Sequence, residues 1–338
     1  MRHHPRRHRS NVHQIPIPIR FIGRESIRNS QFESTNGCNR LVTCGDSGET
    51  TDTGDSLNSE YKSAAMLEEY QTRFLKNVRK VIGQNYLRRR PNLRILDMGC
   101  EPNGLQLHEM SKLTRGQVVG INIPEDFPTP DAVTTAGPRV QMFRMDGMKL
   151  DFADHSFDMV VSANVIEHVP DPTRFISEAA RVLKPNGVCY IETAPIWTSA
   201  RGHHIMEGMV ANDCPDEENF RDDGTVIPDW AHINLSREQL AEILRQKLRP
   251  ETCEYILWFI YESGDLNKTP WSRIRDAFHS SFQHAQVMTA PLNNIDTALM
   301  PTDQQEDYLV YGFQSVCRHR AADPISRRLY WRLREWGL

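Results

Sequence analysis

No run of about 18 or more apolar residues occurs in the sequence, which excludes a transmembrane helix. The seven cysteines (Cys38, Cys44, Cys100, Cys189, Cys214, Cys253 and Cys317) are odd in number, scattered, and nowhere spaced as CxxC. That spacing argues against a structural zinc or a disulfide framework and points to reduced thiols in a cytosolic-type compartment. A charge of one sign is also missing: the net charge is only −4 with 25% charged residues, so no global field draws the chain to nucleic acid or to an anionic membrane. The first residues, MRHHPRRHRS, lack the apolar core of a secretory signal. No acidic residue precedes Glu25, which is also the pattern of an organellar transit peptide. The IPIPIR stretch that follows makes a poor amphipathic helix, so a disordered basic tail on a cytoplasmic protein is the expectation, with organellar targeting left open.

What is present is the pattern of a globular α/β protein of 338 residues, long enough for one large domain with additions. Residues 1–59 read as a basic arm and a Ser/Thr/Gly/Asp-rich linker. From residue 60 to about 89, Ala65, Leu67, Tyr70, Phe74, Val78, Val81 and Ile82 recur at helical spacing. LRILDM, QVVGIN, VQMFRM, FDMVVSAN and VCYIETA then read as strands, with LQLHEMSKL and PTRFISEAARVL as helices among them. Near-continuous apolar strands separated by helices predict a doubly wound, mostly parallel sheet covered on both faces, with ligands beyond the carboxyl ends of its strands. SREQLAEILRQKL opens with a capping box, Ser236 to Gln239, and WSRIRDAFHSSF reads as another helix. TCEYILWFI and DYLVYGFQSVC are expected as late strands. Residues 321–338 start Asp323-Pro324, an N-cap with proline at the first helical position, and predict an amphipathic helix for packing or for contact between two copies.

The stretch ILDMGCEPNG runs from a buried strand into a turn containing Gly99 and Gly104. Such a turn brings backbone close to a nucleotide-like ligand. A dinucleotide site would need GxGxxG, whereas here Glu101 and Asn103 stand where glycines would be wanted, and a carboxylate repels pyrophosphate. A ligand with an ammonium and a sulfonium suits the loop better. ILDMGCEPNG, VVGINI, MDGMKLDFADHSFDMVVSANVIEHVPDP and RVLKPNGVCYIET occur in order. This series resembles the class I S-adenosylmethionine-dependent methyltransferases, in particular the small-molecule branch related to ubiquinone-biosynthesis enzymes, over about residues 93–193. The resemblance implies a Rossmann-like fold with a helical lid inserted after the fifth strand, at about residues 195–235 of a domain spanning 60–320. It also implies S-adenosyl-L-methionine as cofactor. Asp97, Gly99, Cys100 and Glu101 would hold its methionine end, Asn122 the ribose hydroxyls, Asp146, Gly147 and Met148 the adenine, and Asn164 the sulfonium. Asn122 replaces the family's acid and Glu101 a glycine, and loss of cofactor binding is the alternative those two substitutions raise.

Methyl transfer from a sulfonium needs alignment, exclusion of water and, for an oxygen nucleophile, a base. Histidine serves at neutral pH, and His168, His203, His204 and His232 are the candidates. A metal site from His203, His204 and His232 is not expected, because no carboxylate pair completes it at a telling spacing. Trp197, Trp230, Trp258 and Trp271 are candidates to wall an apolar pocket, against the commoner reading of each as core. The expected function is methylation of a small molecule on oxygen, such as a secondary metabolite or a sugar-containing compound. The rivals are an RNA or protein methyltransferase, a degenerate domain used for binding and, third, a nucleotide-sugar or dinucleotide enzyme on the same fold. Nucleic acid is not expected as a partner, and a homodimer is left open.

Overall fold

Strands such as VVGIN and FDMVVSA have no solvated face in their sequence pattern, and the fold supplies two covers for them. The computed structural model describes residues 69–89, 91–123, 139–205 and 226–319. The N-terminal arm, the C-terminal helix expected over 321–338 and part of the expected lid, 206–225, lie outside the described residues. Helix α1 (Glu69–Arg89) comes first, kinked at Gly83. After it come β1 (Ile95–Met98), α2 (Leu105–Ser111), β2 (Val118–Asn122), β3 (Val140–Arg144), β4 (Phe157–Ala163), α3 (Pro172–Val182) and β5 (Leu183–Thr193). The remaining elements are α4 (Ala231–Asn234), α5 (Arg237–Leu244), α6 (Pro250–Tyr261), α7 (Trp271–Ser281), β6 (His284–Ala290), α8 (Gln305–Tyr308) and β7 (Gly312–Arg318).

The strands form one sheet in the order β3-β2-β1-β4-β5-β7-β6. The first five are parallel; β7 runs antiparallel to β5 and to β6. This is the Rossmann-like, doubly wound arrangement. Alternate residues of each strand feed opposite cores. Leu96, Met98, Val160 and Ile191 pack under α3 and α7 with Phe175, Ile176, Ile274 and Phe278. Ile95, Val118, Met159 and Tyr190 pack under α1 and α2 with Phe74, Val78, Leu107 and Met110. The chain order turns outward in both directions from the β1/β4 pair, so the loops after these two strands meet at a topological switch point.

Two elements differ from the sequence reading. TCEYILWFI is not a strand: it lies in α6, which starts with Pro250 at its first turn. Cys253, Ile256, Leu257 and Ile260 are buried, a spacing of three and four that puts them on one helix face, while Glu251 and Glu254 face solvent. The seven-residue apolar run Tyr255–Tyr261 satisfies both periodicities, and the proline at N1 is the feature that favours the helix. Strand β6 was not foreseen, because HAQVMTA is an edge strand with exposed or half-buried residues throughout and carries no apolar signal. Helices α5 and α6 bury their apolar faces together, with Leu240, Leu244, Ile256 and Ile260 in a third cluster built by the insertion after β5. Among the described residues no helix is long and apolar enough to cross a membrane.

Candidate cofactor cavity and histidine cluster

A cavity of about 200 Å³ opens at the switch point. Gly99, Asn122, Asp146, Gly147, Met148 and Asn164 line it, with Ile121, Ile123, Met145, Val165 and Phe175 as apolar walls and His168 at one side. Gly99 has φ 93, in the left-handed region, and its amide donates to the Ile121 carbonyl at 2.8 Å. A Cβ there would lie 2.3 Å from Cγ2 of Val165, so only glycine lets the β1 and β4 loops touch. Asn164 also has positive φ (53), a conformation that asparagine tolerates better than most residues, and its amide donates to the Glu192 carbonyl at 3.0 Å. The Asn122 side chain donates from Nδ2 to the Cys100 carbonyl at 2.8 Å and accepts from the Ile123 amide at 2.8 Å. Asp146 Oδ1 accepts from the Met148 amide at 2.8 Å, which shapes the turn that carries both residues.

Asp97, Cys100 and Glu101 are not part of the cavity lining and are buried behind it. Asp97 accepts from Gln106 Nε2 at 3.1 Å, and Glu101 accepts from Gln71 Nε2 of α1. Burial, together with the Glu101 carboxylate nearby, pushes the Asp97 carboxyl up to about 7. The tie between Gln71 and Glu101 spans 30 residues and joins α1 to the loop; sequence reading missed it, since a lone glutamine in a helix gives no signal.

The four candidate histidines come together. His168 ends the 3₁₀ turn Ile166–His168 after β4. His203 and His204 follow a tight turn at Gly202, where a Cβ would meet the Trp197 carbonyl oxygen at 2.2 Å, and His232 lies in α4. The rings of His168 and His204 are 5.4 Å apart, as are those of His203 and His232. Each ring is held by backbone. His168 Nδ1 is 3.0 Å from the Asp265 carbonyl, His204 Nε2 is 2.8 Å from that of Pro195 and His232 Nε2 is 2.8 Å from that of Trp197. A carbonyl only accepts, so these three nitrogens carry the protons. His203 Nδ1 instead accepts from the Ile205 amide at 3.1 Å. Glu167, in the same 3₁₀ turn as His168, is buried beside them.

The ion pair of Arg201 Nε and Asp229 Oδ1 at 2.9 Å fastens this segment to the start of α4. Asp229 Oδ2 also accepts from the Asp296 amide at 2.8 Å. Trp230 and Trp271 are core residues, and Trp197 packs edge-on against His232. None of the four candidate tryptophans lines the cavity.

Residues 96–191 match the family described as "Methyltransferase domain". Over these residues the chain carries a methyltransferase domain. An uncharacterized methyltransferase of Mycobacterium tuberculosis is 43% identical over 84 residues, which is 23% of this chain and 33% of that one. Cycloartenol-C-24-methyltransferase 1 of Oryza sativa is 33% identical over 105 residues, 30% of each chain. A solved structure of geranyl diphosphate C-methyltransferase from Streptomyces coelicolor aligns with 12% identity and a TM-score of 0.41, covering 79% of this chain and 86% of that one. The chain spans about a third of the length of these curated relatives.

Burial of the cluster couples it to pH. Desolvation lowers all four histidines from 6.5, His232 to about 4. Below pH 6.5 the unfolded chain takes up protons that the native one refuses, so this contribution is present above pH 6.5 and lost on acidification. For His232 the loss is complete near pH 4 and amounts to about 3 kcal/mol. Glu167 has the opposite sign: burial raises it from 4.5 to about 8, so its contribution is full below 4.5 and lost as pH rises through about 8. Thermal melts from pH 8 to pH 4 should show a fall on the acid side that is shallower in His232→Gln than in the wild type; equal slopes would contradict the assignment.

Proposed function

We propose that this protein transfers a methyl group from S-adenosylmethionine to an oxygen of a small hydroxylated molecule, such as a secondary metabolite or a sugar-containing compound. The observation that carries the reading is continuity: His168 lines the cavity and stands ring-to-ring with His204, so the cofactor cavity and the histidine cluster form one site. The residues present fit the cofactor. Asn122 keeps one N–H and one lone pair beyond its two loop bonds, enough to meet a ribose hydroxyl. Met145, Met148 and Phe175 offer apolar faces to an adenine. S-adenosylmethionine bound there supplies a sulfonium methyl, and attack by an acceptor oxygen forms the O–C bond as the S–C bond breaks.

The protein's own part is positional and protic. Gly99, Asn164 and Val165 bring the two loops together where the sulfonium belongs. His168, its Nδ1 proton held by the Asp265 carbonyl, presents Nε2 as a lone pair to receive the acceptor proton. The described part of the insertion after β5, including residues 195–205 and 226–235, acts as a lid that excludes water. The plant relative and a sterol 24-C-methyltransferase of Yarrowia lipolytica, 34% identical over 103 residues, carry names of small-molecule enzymes, which favours such an acceptor over a macromolecule. Incubation with methyl-labelled S-adenosylmethionine and a panel of phenols, glycosides and sugars should place label on an acceptor oxygen. Label found only on RNA or protein would overturn the acceptor class, and no transfer by a protein that binds the cofactor would overturn the activity.

A further inference from the structure

We propose that Glu167, His168 and His204 form a binding site for a divalent cation of the zinc type, next to the methyl-donor cavity. One potential ligand atom from each lies within 4.8 Å of the others. Across a tetrahedral zinc the ligand atoms would be about 3.4 Å apart, given bonds of roughly 2.0–2.1 Å, so small side-chain rotations close the site. Sequence spacing could not show it: His203, His204 and His232 lacked a carboxylate, and the fold brings Glu167 and His168 from the far side of the β4 loop to provide one.

The orientation of the rings is the stronger argument. His204 donates from Nε2 to the Pro195 carbonyl, which leaves Nδ1 as a lone pair. That nitrogen is buried and has no hydrogen-bond partner among the described residues. His168 donates from Nδ1 to the Asp265 carbonyl, which leaves Nε2 as a lone pair. Metal-bound histidines have this arrangement, the far ring nitrogen donating to a carbonyl that fixes tautomer and ring plane. Glu167 Oε2 is likewise buried with no partner at hydrogen-bond distance among the described residues, although the Thr193 hydroxyl is close enough to act on the carboxyl. Buried polar atoms are rarely left so, and a cation accounts for both orphans at once. His204 is also held at φ 59, a strained backbone for a residue other than glycine, in the turn that Gly202 permits.

The neighbouring histidines do not join the set. His203 Nδ1 is occupied by the Ile205 amide, and His232 lies outside the group whose ligand atoms converge. Two histidines and one carboxylate leave coordination positions open, the pattern of a catalytic rather than a structural site. His168 lines the cavity, so an open position on that side can take an acceptor oxygen and lower its pKa, its proton then passing to water, because Nε2 of His168 is a ligand and not the base whenever the cation is bound. Only this last role rests on the methyl-transfer reading; the binding site does not.

The test uses the full chain stripped with a chelator and titrated with Zn²⁺, Mn²⁺ and Mg²⁺ by calorimetry, in parallel with Glu167→Gln, His204→Ala and His232→Ala. The N-terminal His3, His4, His8 and His13 are present in every variant, so the readout is the difference between chains. The wild type and His232→Ala should bind one equivalent of Zn²⁺ more than His204→Ala does. In Glu167→Gln that equivalent should weaken about 100-fold or vanish. S-adenosylmethionine binding measured on the same four proteins should be retained, which separates loss of the site from loss of the fold. Equal Zn²⁺ stoichiometry and affinity in the wild type and His204→Ala would overturn the site. Failure to bind S-adenosylmethionine alongside a specific Zn²⁺ equivalent would instead overturn the methyltransferase reading and leave the metal site standing.

Discussion

Gly99→Ala should abolish measurable binding of S-adenosylmethionine while the far-UV circular dichroism stays that of the wild type. Two independent penalties fall on this position. The backbone at φ 93 is one an L-residue enters at a cost of about 1–2 kcal/mol. The added Cβ would also overlap both methyl carbons of Val165, at 2.3 and 2.8 Å. Val165 is itself part of the cavity wall, so relief of the clash moves either the β1 loop or the β4 loop out of place. A displacement of about 1 Å in such a site costs on the order of 100-fold, and binding should weaken by at least that factor in calorimetry. The double variant Gly99→Ala, Val165→Ala removes most of the overlap and none of the backbone strain. It should recover part of the affinity, and full recovery would show that the left-handed backbone is not needed.

His168→Ala should have the second large effect, a fall in kcat of about 100-fold or more, with the dissociation constant for S-adenosylmethionine within about threefold of the wild type. His168 is the one candidate histidine whose ring reaches the cavity, and its Nε2 faces away from the bond to Asp265. Its Nε2 lone pair is required whether it takes the acceptor proton itself or holds a cation that lowers the acceptor's pKa. A parallel loss of cofactor affinity would assign it to binding, and unchanged turnover would remove it from the chemistry.

The five parallel strands and the loop after β1 were legible in the sequence because their signal is local. LRILDM and VVGIN are apolar without interruption, and the turn residues follow at once. The strand order, and with it the contact of Gly99 with Val165, needed the fold, since those residues are 66 positions apart in the chain. The α6 segment misled because the apolar run Tyr255–Tyr261 fits both a strand and a helix face, and β6 carried no continuous apolar run. The histidines were recognised singly from GHH and DWAH. Their meeting with Glu167, and the backbone carbonyls of Pro195, Trp197 and Asp265 that set their tautomers, depend on how the insertion folds back over β4, which no short-range pattern encodes. The substitutions Glu101 and Asn122 read in the sequence as departures from the family. In the structure Glu101 is engaged by Gln71, and Asn122 by Cys100 and Ile123, so both have a place in building the loop.

The most direct measurement is isothermal titration of the full chain with S-adenosylmethionine and with S-adenosylhomocysteine. One-to-one binding of both in the micromolar range, lost in Gly99→Ala, is the expected result. Absence of heat for either ligand at millimolar concentration, from a protein whose melt shows it folded, would contradict a cofactor site at the switch point.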